Sequence, residues 1–294
     1  MNRRTFLTAV AATPLALAGS ALAIGPIGRT RPSHLKLSLA AYSFRQWLDL
    51  KVKKLDLFDF VNLCADYGLD GVELTSYYFP IDVTSDYLHK LKQHAFNLGL
   101  DISGTSVGNN FCLPKGPKLD EQHALVRTWI DRAAELDAPT IRIFAGQVPK
   151  GGDEDVAAVQ TIEGINACLP YAIEKGVTLA LENHGGITAT PQQILRLVKG
   201  VNHPNFGVNL DTGNFHGEDI YAELAELAPY AVNVQVKTEI TPKGGKKIDA
   251  DLGRVIKILR DAKYSGYVVL EYEAPEDAMV AVPRHLKTLR ALIG

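Results

Sequence analysis

The chain has 294 residues, 46% hydrophobic and 22% charged, the balance of an ordinary soluble globular protein. Its 31 Lys and Arg against 33 Asp and Glu give a formal charge of −2 without basic runs, which argues against a nucleic-acid partner. The three cysteines, Cys64, Cys112 and Cys168, lack CxxC spacing, which argues against a disulfide framework or a zinc ribbon.

Asn2-Arg3-Arg4-Thr5-Phe6-Leu7 is a twin-arginine pattern, and the apolar run Ala9 to Ala23 follows it. The run ends in Ala21-Leu22-Ala23, a small-x-small cleavage signature. Broken by Pro14, it is short against the roughly 20 residues of a spanning helix. The expectation is a signal peptide over 1–23, cleavage after Ala23 and a periplasmic or secreted product. That route carries folded proteins, so a metal or cofactor could be loaded in the cytoplasm. No membrane span would remain after cleavage. Ile24 to Lys36 is aperiodic, contains Gly, Pro and Arg, and reads as a linker.

From residue 37 to 294, strand and helix patterns alternate. The strands are expected at 37–44, 71–75, 100–107, 140–146, 177–184, 206–213, 231–238 and 266–273. Helices are expected near 56–67, 84–98, 119–136, 156–175, 191–199, 219–228, 251–263 and 279–293, with Gly68, Gly99, Gly176 and Gly200 as C-terminal caps. Asp153-Glu154-Asp155 reads as a helix N-terminus. Eight strand-then-helix units in about 250 residues define a single (β/α)8 barrel. A doubly wound open sheet is the alternative. It wants a Gly-rich phosphate loop after the first strand, and Ala41-Tyr42-Ser43-Phe44-Arg45 is not one.

In AVNVQVKT (231–238), Val232, Val234 and Val236 alternate with Asn233, Gln235 and Lys237. VTLALENH, FGVNLDTG and YVVLEYE share this two-faced design. Glu182, Asp211, Gln235 and Glu271 therefore fall near the C-terminal ends of four successive strands, where barrels carry their chemistry. Three carboxylates and an amide carbonyl make a hard oxygen site for a divalent cation. The competing reading pairs each acid with a nearby Lys or Arg.

Leu181-Glu182-Asn183-His184, Asn209-Leu210-Asp211-Thr212-Gly213-Asn214, Val234-Gln235-Val236-Lys237 and Leu270-Glu271-Tyr272 resemble the metal motifs of the sugar phosphate isomerase/epimerase family. This xylose isomerase-like barrel group includes hydroxypyruvate isomerases and ketose 3-epimerases. The resemblance extends to Asp70-Gly71-Val72-Glu73-Leu74 and covers essentially the whole chain after the leader. It implies Glu182, Asp211, Gln235 and Glu271 as ligands of Mn²⁺, with Mg²⁺ or Co²⁺ as alternatives, and Glu182 and Glu271 as the acid/base pair. Gln235 stands where the family usually has His, and a neutral amide oxygen favours Mn²⁺ or Mg²⁺ over Zn²⁺. Asn214 stands where several epimerases have His, with His216 two residues on.

The implied reaction lowers the pKa of a proton next to a sugar carbonyl and passes through an enediolate. Proton return gives an epimer or an isomer; loss of a β-substituent gives a lyase, hydratase or deglycosylase acting on 3-keto-glycosides. A non-catalytic carbohydrate-binding barrel is a further alternative. An endonuclease IV-type enzyme shares the barrel but wants a His-rich zinc cluster and a basic face. The expected partner is a small sugar or glycoside.

His184 and Lys237 are the leading candidates for substrate contact, joined by Asn214 and His216. Glu73 and Arg142 face inward on the second and fourth strands, where they are expected to pair with each other. The alternative for Lys237 is a salt bridge to Glu239 or a barrel acid; for His184, it is a bond holding a carboxylate. Asn183, of opposite parity, reads as a loop hydrogen-bonder. Tyr42, Phe44, Trp47, Phe111 and Phe144 are candidates for an apolar wall. Lys243 to Lys247 reads as a mobile loop able to cover the site.

Overall fold

The computed structural model describes residues 25–294; the expected leader lies outside the described residues. Eight parallel strands close into a barrel: β1 (Leu35–Ala40), β2 (Gly71–Thr75), β3 (Asp101–Ser106), β4 (Thr140–Ile143), β5 (Thr178–Glu182), β6 (Phe206–Asp211), β7 (Ala231–Val236) and β10 (Gly266–Leu270). Their order around the wall is β1-β10-β7-β6-β5-β4-β3-β2, so each strand lies beside its neighbour in sequence. The intervening β8 (Glu239–Ile240) and β9 (Ile248–Asp249) form a small antiparallel ribbon after β7. The alternating apolar faces of the strands pack outward beneath a ring of helices. These are α1 (Leu57–Asp66), α2 (Ser85–Asn97), α3 (Pro117–Glu135), α4 (Glu154–Glu174), α5 (Pro191–Val201), α6 (Ile220–Leu227), α7 (Leu252–Asp261) and α8 (Ala278–Ile293).

Capping explains several helix limits. Asp153 accepts from the Asp155 and Val156 amides, so the acidic run starts α4 as expected. Asp56 and Thr190 open α1 and α5 with capping boxes. Gly68, Gly99 and Gly176 take the left-handed conformation after their helices. Gly200 does not. Helix α5 runs on to Val201 and Asn202 adopts that conformation instead, while Gly200 packs where a Cβ would lie 2.4 Å from Ile162.

The expected 24–36 linker is docked against the barrel over its described part. Ile27 N–H donates to the Pro229 carbonyl, Arg29 donates to the carbonyls of Ala228, Pro229 and Ala231, and Leu35 and Lys36 begin β1. At its other end, β1 stops at Ala40, and residues 41–44 form a 3-10 turn rather than further strand. The register of β7 against β6 shifts between Val208 and Asn209. Asn233 thereby faces Asn209, and Val232 becomes the extra residue, half-buried over Gly207, where a Cβ would meet it at 2.5 Å.

Inside the barrel the packing is polar. Asn233 Nδ2 donates to Glu73 Oε2 (2.8 Å) and Asn209 Oδ1 (2.8 Å). Asn209 Nδ2 donates to Gln235 Oε1 (2.6 Å), and Gln235 Nε2 donates to Glu73 Oε1 (2.6 Å). Four buried side chains thus close a ring of hydrogen bonds, which meets the requirement that polar groups in a low-dielectric interior be partnered. Burial, the charge of Glu271 and the limited offset from the two amides together push the Glu73 carboxyl up to about 7.

Candidate active site

Beyond the ring, at the C-terminal ends of the strands, the backbone is clamped by side chains of the opposite parity. Asn183 donates to the Asp211 carbonyl (2.9 Å) and accepts from the Asp211 amide (2.8 Å). Asn109 brackets Phe144 in the same way, at 2.8 and 2.9 Å. Thr212 Oγ1 accepts from the Lys237 amide. Ser43 Oγ donates to the Leu270 carbonyl and accepts from the Tyr272 amide, bracketing Glu271. Each short polar side chain continues a ladder that the diverging strands no longer make, so the functional residues sit on fixed backbone.

Glu182, Asp211 and Glu271 come together at this mouth, and all are buried. Arg142 lies under Glu182, with Nε 2.9 Å from Oε2; its NH1 donates to the Val107 carbonyl, and its guanidinium stacks 3.9 Å from the Phe144 ring centroid. Lys237 reaches three acids, with Nζ 2.5 Å from Glu271, 2.7 Å from Glu273 and 3.3 Å from Asp211. Asn214 Nδ2 donates to the second Glu182 oxygen at 3.0 Å.

These positions split the carboxyls. Burial tends to raise Glu271, but the Lys237 ammonium and Arg142 outweigh it and hold that carboxyl below its usual range. Burial pushes Glu182 well up; Arg142 opposes this, while Asp211 and Glu271 add to it. Burial likewise lifts Asp211 to about 7 against the pull of Lys237. His184 is lowered by burial and by the nearby Arg142 and Lys237, which keeps its imidazole neutral at neutral pH.

The mouth opens into a cavity of about 250 Å³ bordered by Glu182, Glu271, Arg142, His184, Asn214 and Lys237. Tyr42, Tyr77 and Phe144 supply its aromatic sides, and the His184 ring lies 4.5 Å from that of Phe144. On one side follows a cavity of about 160 Å³ that shares Asn214, Lys237 and Glu273 and includes His216. On the other, a cavity of about 240 Å³ shares Phe144 and His184.

Several sequence expectations change here. Glu73 and Arg142 do not pair: the register places Arg142 against Glu182, and two amides hold Glu73. Lys237 pairs with barrel acids, while Glu239 pairs with Lys247 at 3.4 Å. His216 reaches away from the carboxylates, with Nδ1 3.0 Å from the Thr241 carbonyl. Of the aromatic candidates, Phe44 and Phe111 are core, and Trp47 borders a separate small cavity. The 243–247 stretch turns the β8–β9 ribbon, its ends tied by Lys243–Glu218 and Lys247–Glu239 ion pairs. Sequence reading missed Tyr77 and Glu273 as cavity residues. The parity of YVVLEYE, with Glu273 two residues past Glu271, was a signal for the second.

The donor set meets only some of the needs of a divalent cation. Asp211, Glu182 and Glu271 offer hard carboxylate oxygens, and the buried Asp211 Oδ2 is met by the Lys237 ammonium at 3.3 Å. Four carboxylates, counting Glu273, face two cations, so with all four ionised the mouth carries two unmatched negative charges. On chemistry and charge the carboxylates fit. Gln235, in this rotamer, has both ends of its amide engaged in the interior ring. Among the described residues, no group of three His, Cys, Asp or Glu side chains is gathered closely enough to hold an ion. The acids are instead ion-paired, Glu182 with Arg142 and Asp211 and Glu271 with Lys237.

The fold is a closed (β/α)8 barrel, and its mouth gathers buried acids around one cavity. Residues 61–289 match the xylose isomerase-like TIM barrel family, and the chain belongs to it. Its relatives include a putative hydroxypyruvate isomerase of Homo sapiens, 25% identical over 72% of this chain and 83% of that one. A 3-dehydroshikimate dehydratase of Bacillus anthracis is 25% identical over 69% of this chain and 71% of its own. A D-psicose 3-epimerase of Clostridium cellulolyticum H10, solved with D-tagatose, has the same fold: TM-score 0.72 at 18% identity, covering 88% of this chain and 99% of that one. No helix among the described residues is long and apolar enough to cross a membrane.

Proposed function

We propose that the protein is a divalent-metal-dependent sugar isomerase or epimerase that moves a proton next to a carbonyl, with Glu182 and Glu271 as its acid/base pair. The carrying observation is that both carboxylates border one cavity while each is tied to a different buried cation, Arg142 or Lys237. A cation held by Glu182, Asp211 and Glu271, Mn²⁺ with Mg²⁺ or Co²⁺ as alternatives, would polarise the carbonyl and its neighbouring hydroxyl. Glu271 is the base, held ionised by its neighbours, and removes the proton to give an enediolate. Glu182, steadied by Arg142 and Asn214, returns a proton. Lys237 and the neutral His184 bind substrate oxygens, and Tyr42, Tyr77 and Phe144 exclude water from one side.

The flanking cavities favour a second course on the same residues. They leave room for a substituent beside the reacting carbon, so the enediolate can expel a β-leaving group, as a dehydratase or a 3-keto-glycoside lyase does. The twin-arginine pattern supports a periplasmic or secreted enzyme acting on a free or glycosidic sugar rather than a sugar phosphate.

The test is solvent deuterium incorporation into a panel of free ketoses and 3-keto-glycosides, with and without Mn²⁺. Incorporation next to the carbonyl is expected, reduced about 10²–10⁴-fold in Glu271→Gln. The product, epimer, isomer or released aglycone, chooses between the two courses. Tight sugar binding without exchange on any candidate would instead point to a binding barrel.

A further inference from the structure

The mouth has the atoms a divalent ion needs, but the chain's own cations already hold them. Arg142 Nε lies 2.9 Å from Glu182, and Lys237 Nζ lies 2.5 Å from Glu271 and 3.3 Å from Asp211. Gln235 spends its oxygen on Asn209 and its amino group on Glu73. Lys237 is itself fixed from two sides. Its stem crosses Gly213 so closely that a Cβ there would lie 2.5 Å from Lys237 Cγ. Its backbone amide donates to Thr212 Oγ1 at 2.9 Å. Of the three protons on its ammonium, two make hydrogen bonds, to Glu271 at 2.5 Å and to Glu273 at 2.7 Å. The third is left with Asp211 at the longer distance of 3.3 Å. Lys237 and Glu271 border the same central cavity, so an oxygen entering it can take that third proton while Glu271 stays alongside.

We propose that Lys237 is the electrophile of the reaction: its ammonium holds the charge that develops on the substrate's carbonyl oxygen, and proton transfer at the neighbouring carbon needs no divalent ion. This rests on the acid/base half of the reading above and replaces its metal. Glu271 takes the proton from the carbon next to the carbonyl. The C–H bonding pair becomes the new carbon–carbon double bond, and the carbonyl π pair moves onto the oxygen. That oxygen is then an enolate beside Nζ, and the ammonium donates a hydrogen bond to it. The proton returns to the same carbon, or a β-substituent leaves with the electron pair of its bond. Either way the carbonyl reforms, and no oxidant or reductant is consumed. An ammonium already fixed in a buried site needs no reorganisation as the charge appears, which is the condition under which such a donor contributes most.

Solvent deuterium exchange into the panel of ketoses and 3-keto-glycosides is measured on the full chain after EDTA treatment, with elemental analysis to verify that metal is gone. It is then repeated with Mn²⁺ restored. Equal exchange by the wild type in the two states is expected. Lys237→Met, checked for folding by urea denaturation, should slow the metal-free exchange about 10²–10³-fold, the loss typical of one donor to a developing oxyanion. Exchange that vanishes in EDTA and returns with Mn²⁺ overturns the proposal and leaves the acid/base pair standing. Undiminished exchange in folded Lys237→Met does the same. Should that variant fail to fold, the two wild-type measurements decide on their own. No exchange by the wild type in either state overturns the acid/base reading and this proposal together.

Discussion

At the floor of the barrel, Arg29 is held by three backbone carbonyls and lies 5.3 Å from the Tyr264 ring centroid, while Lys36 meets Asp101 at 2.7 Å beside the Tyr267 hydroxyl. At the mouth, Arg142 and Lys237 are just as firmly held, but four carboxylates surround them. The floor matches each cation with neutral acceptors or a single acid, and nothing further is asked of it. The mouth keeps an excess of one sign inside a buried space. Such an excess is tolerated only by holding protons, as the raised Asp211 and Glu182 do, or by admitting positive charge from outside. Paired charge anchors; unbalanced charge recruits.

The sharpest way to break this contrast is to remove one cation from each end. Arg142→Met strands Glu182 in a buried site and should cost about 3–5 kcal/mol in urea unfolding. Arg29→Met removes hydrogen bonds whose acceptors are backbone carbonyls and should cost about 1–3 kcal/mol. Equal losses would mean that the excess of acid at the mouth is not felt as strain.

Between the two ends lies Glu73, raised from 4.5 to about 7. The folded state holds this proton more tightly than the unfolded chain, so its contribution is fully present below about pH 4.5 and lost as pH rises toward 7. Glu73→Gln should remove about 3 kcal/mol of that fall, seen as a flatter profile of urea stability between pH 4.5 and 7.5. Asp211, shifted in the same direction, keeps part of the slope. An unchanged profile would show that the amide ring already holds Glu73 ionised. The smallest effect belongs to the floor: Lys36 and Asp101 are substantially exposed, and Lys36→Met should change stability by less than about 1 kcal/mol.

The barrel was legible because each strand carries a period of two and each helix a longer one, and these local signals survive tertiary packing. Strand ends were read too long. Leu37–Phe44 and Gly266–Glu273 keep their alternation past the last barrel hydrogen bond, so pattern alone does not mark where β1 and β10 stop at Ala40 and Leu270. Glu182, Asp211 and Glu271 were legible as a convergent set because strand parity and the rule for barrel mouths place them. Their partners were not. Which cation meets which acid depends on stagger around the wall, and that stagger sends Arg142 to Glu182 and leaves Glu73 to Asn233 and Gln235. The bulge at Val232 and the clamps of Ser43, Asn109 and Thr212 were hidden for a related reason. They act across strands, from positions whose parity reads as facing away.

One of those clamps has a consequence for when the site comes into being. Ser43 and Leu270 are 227 residues apart in sequence, and their bonds lie on the seam where the first strand meets the last. Glu271 follows directly on that seam. Closing so long a loop is slow, because the chain must give up its freedom before the contact rewards it. Glu271 is therefore fixed only when the final strand docks, and a growing or partly folded chain carries the acids without their arrangement. The mouth exists only once the circle is closed.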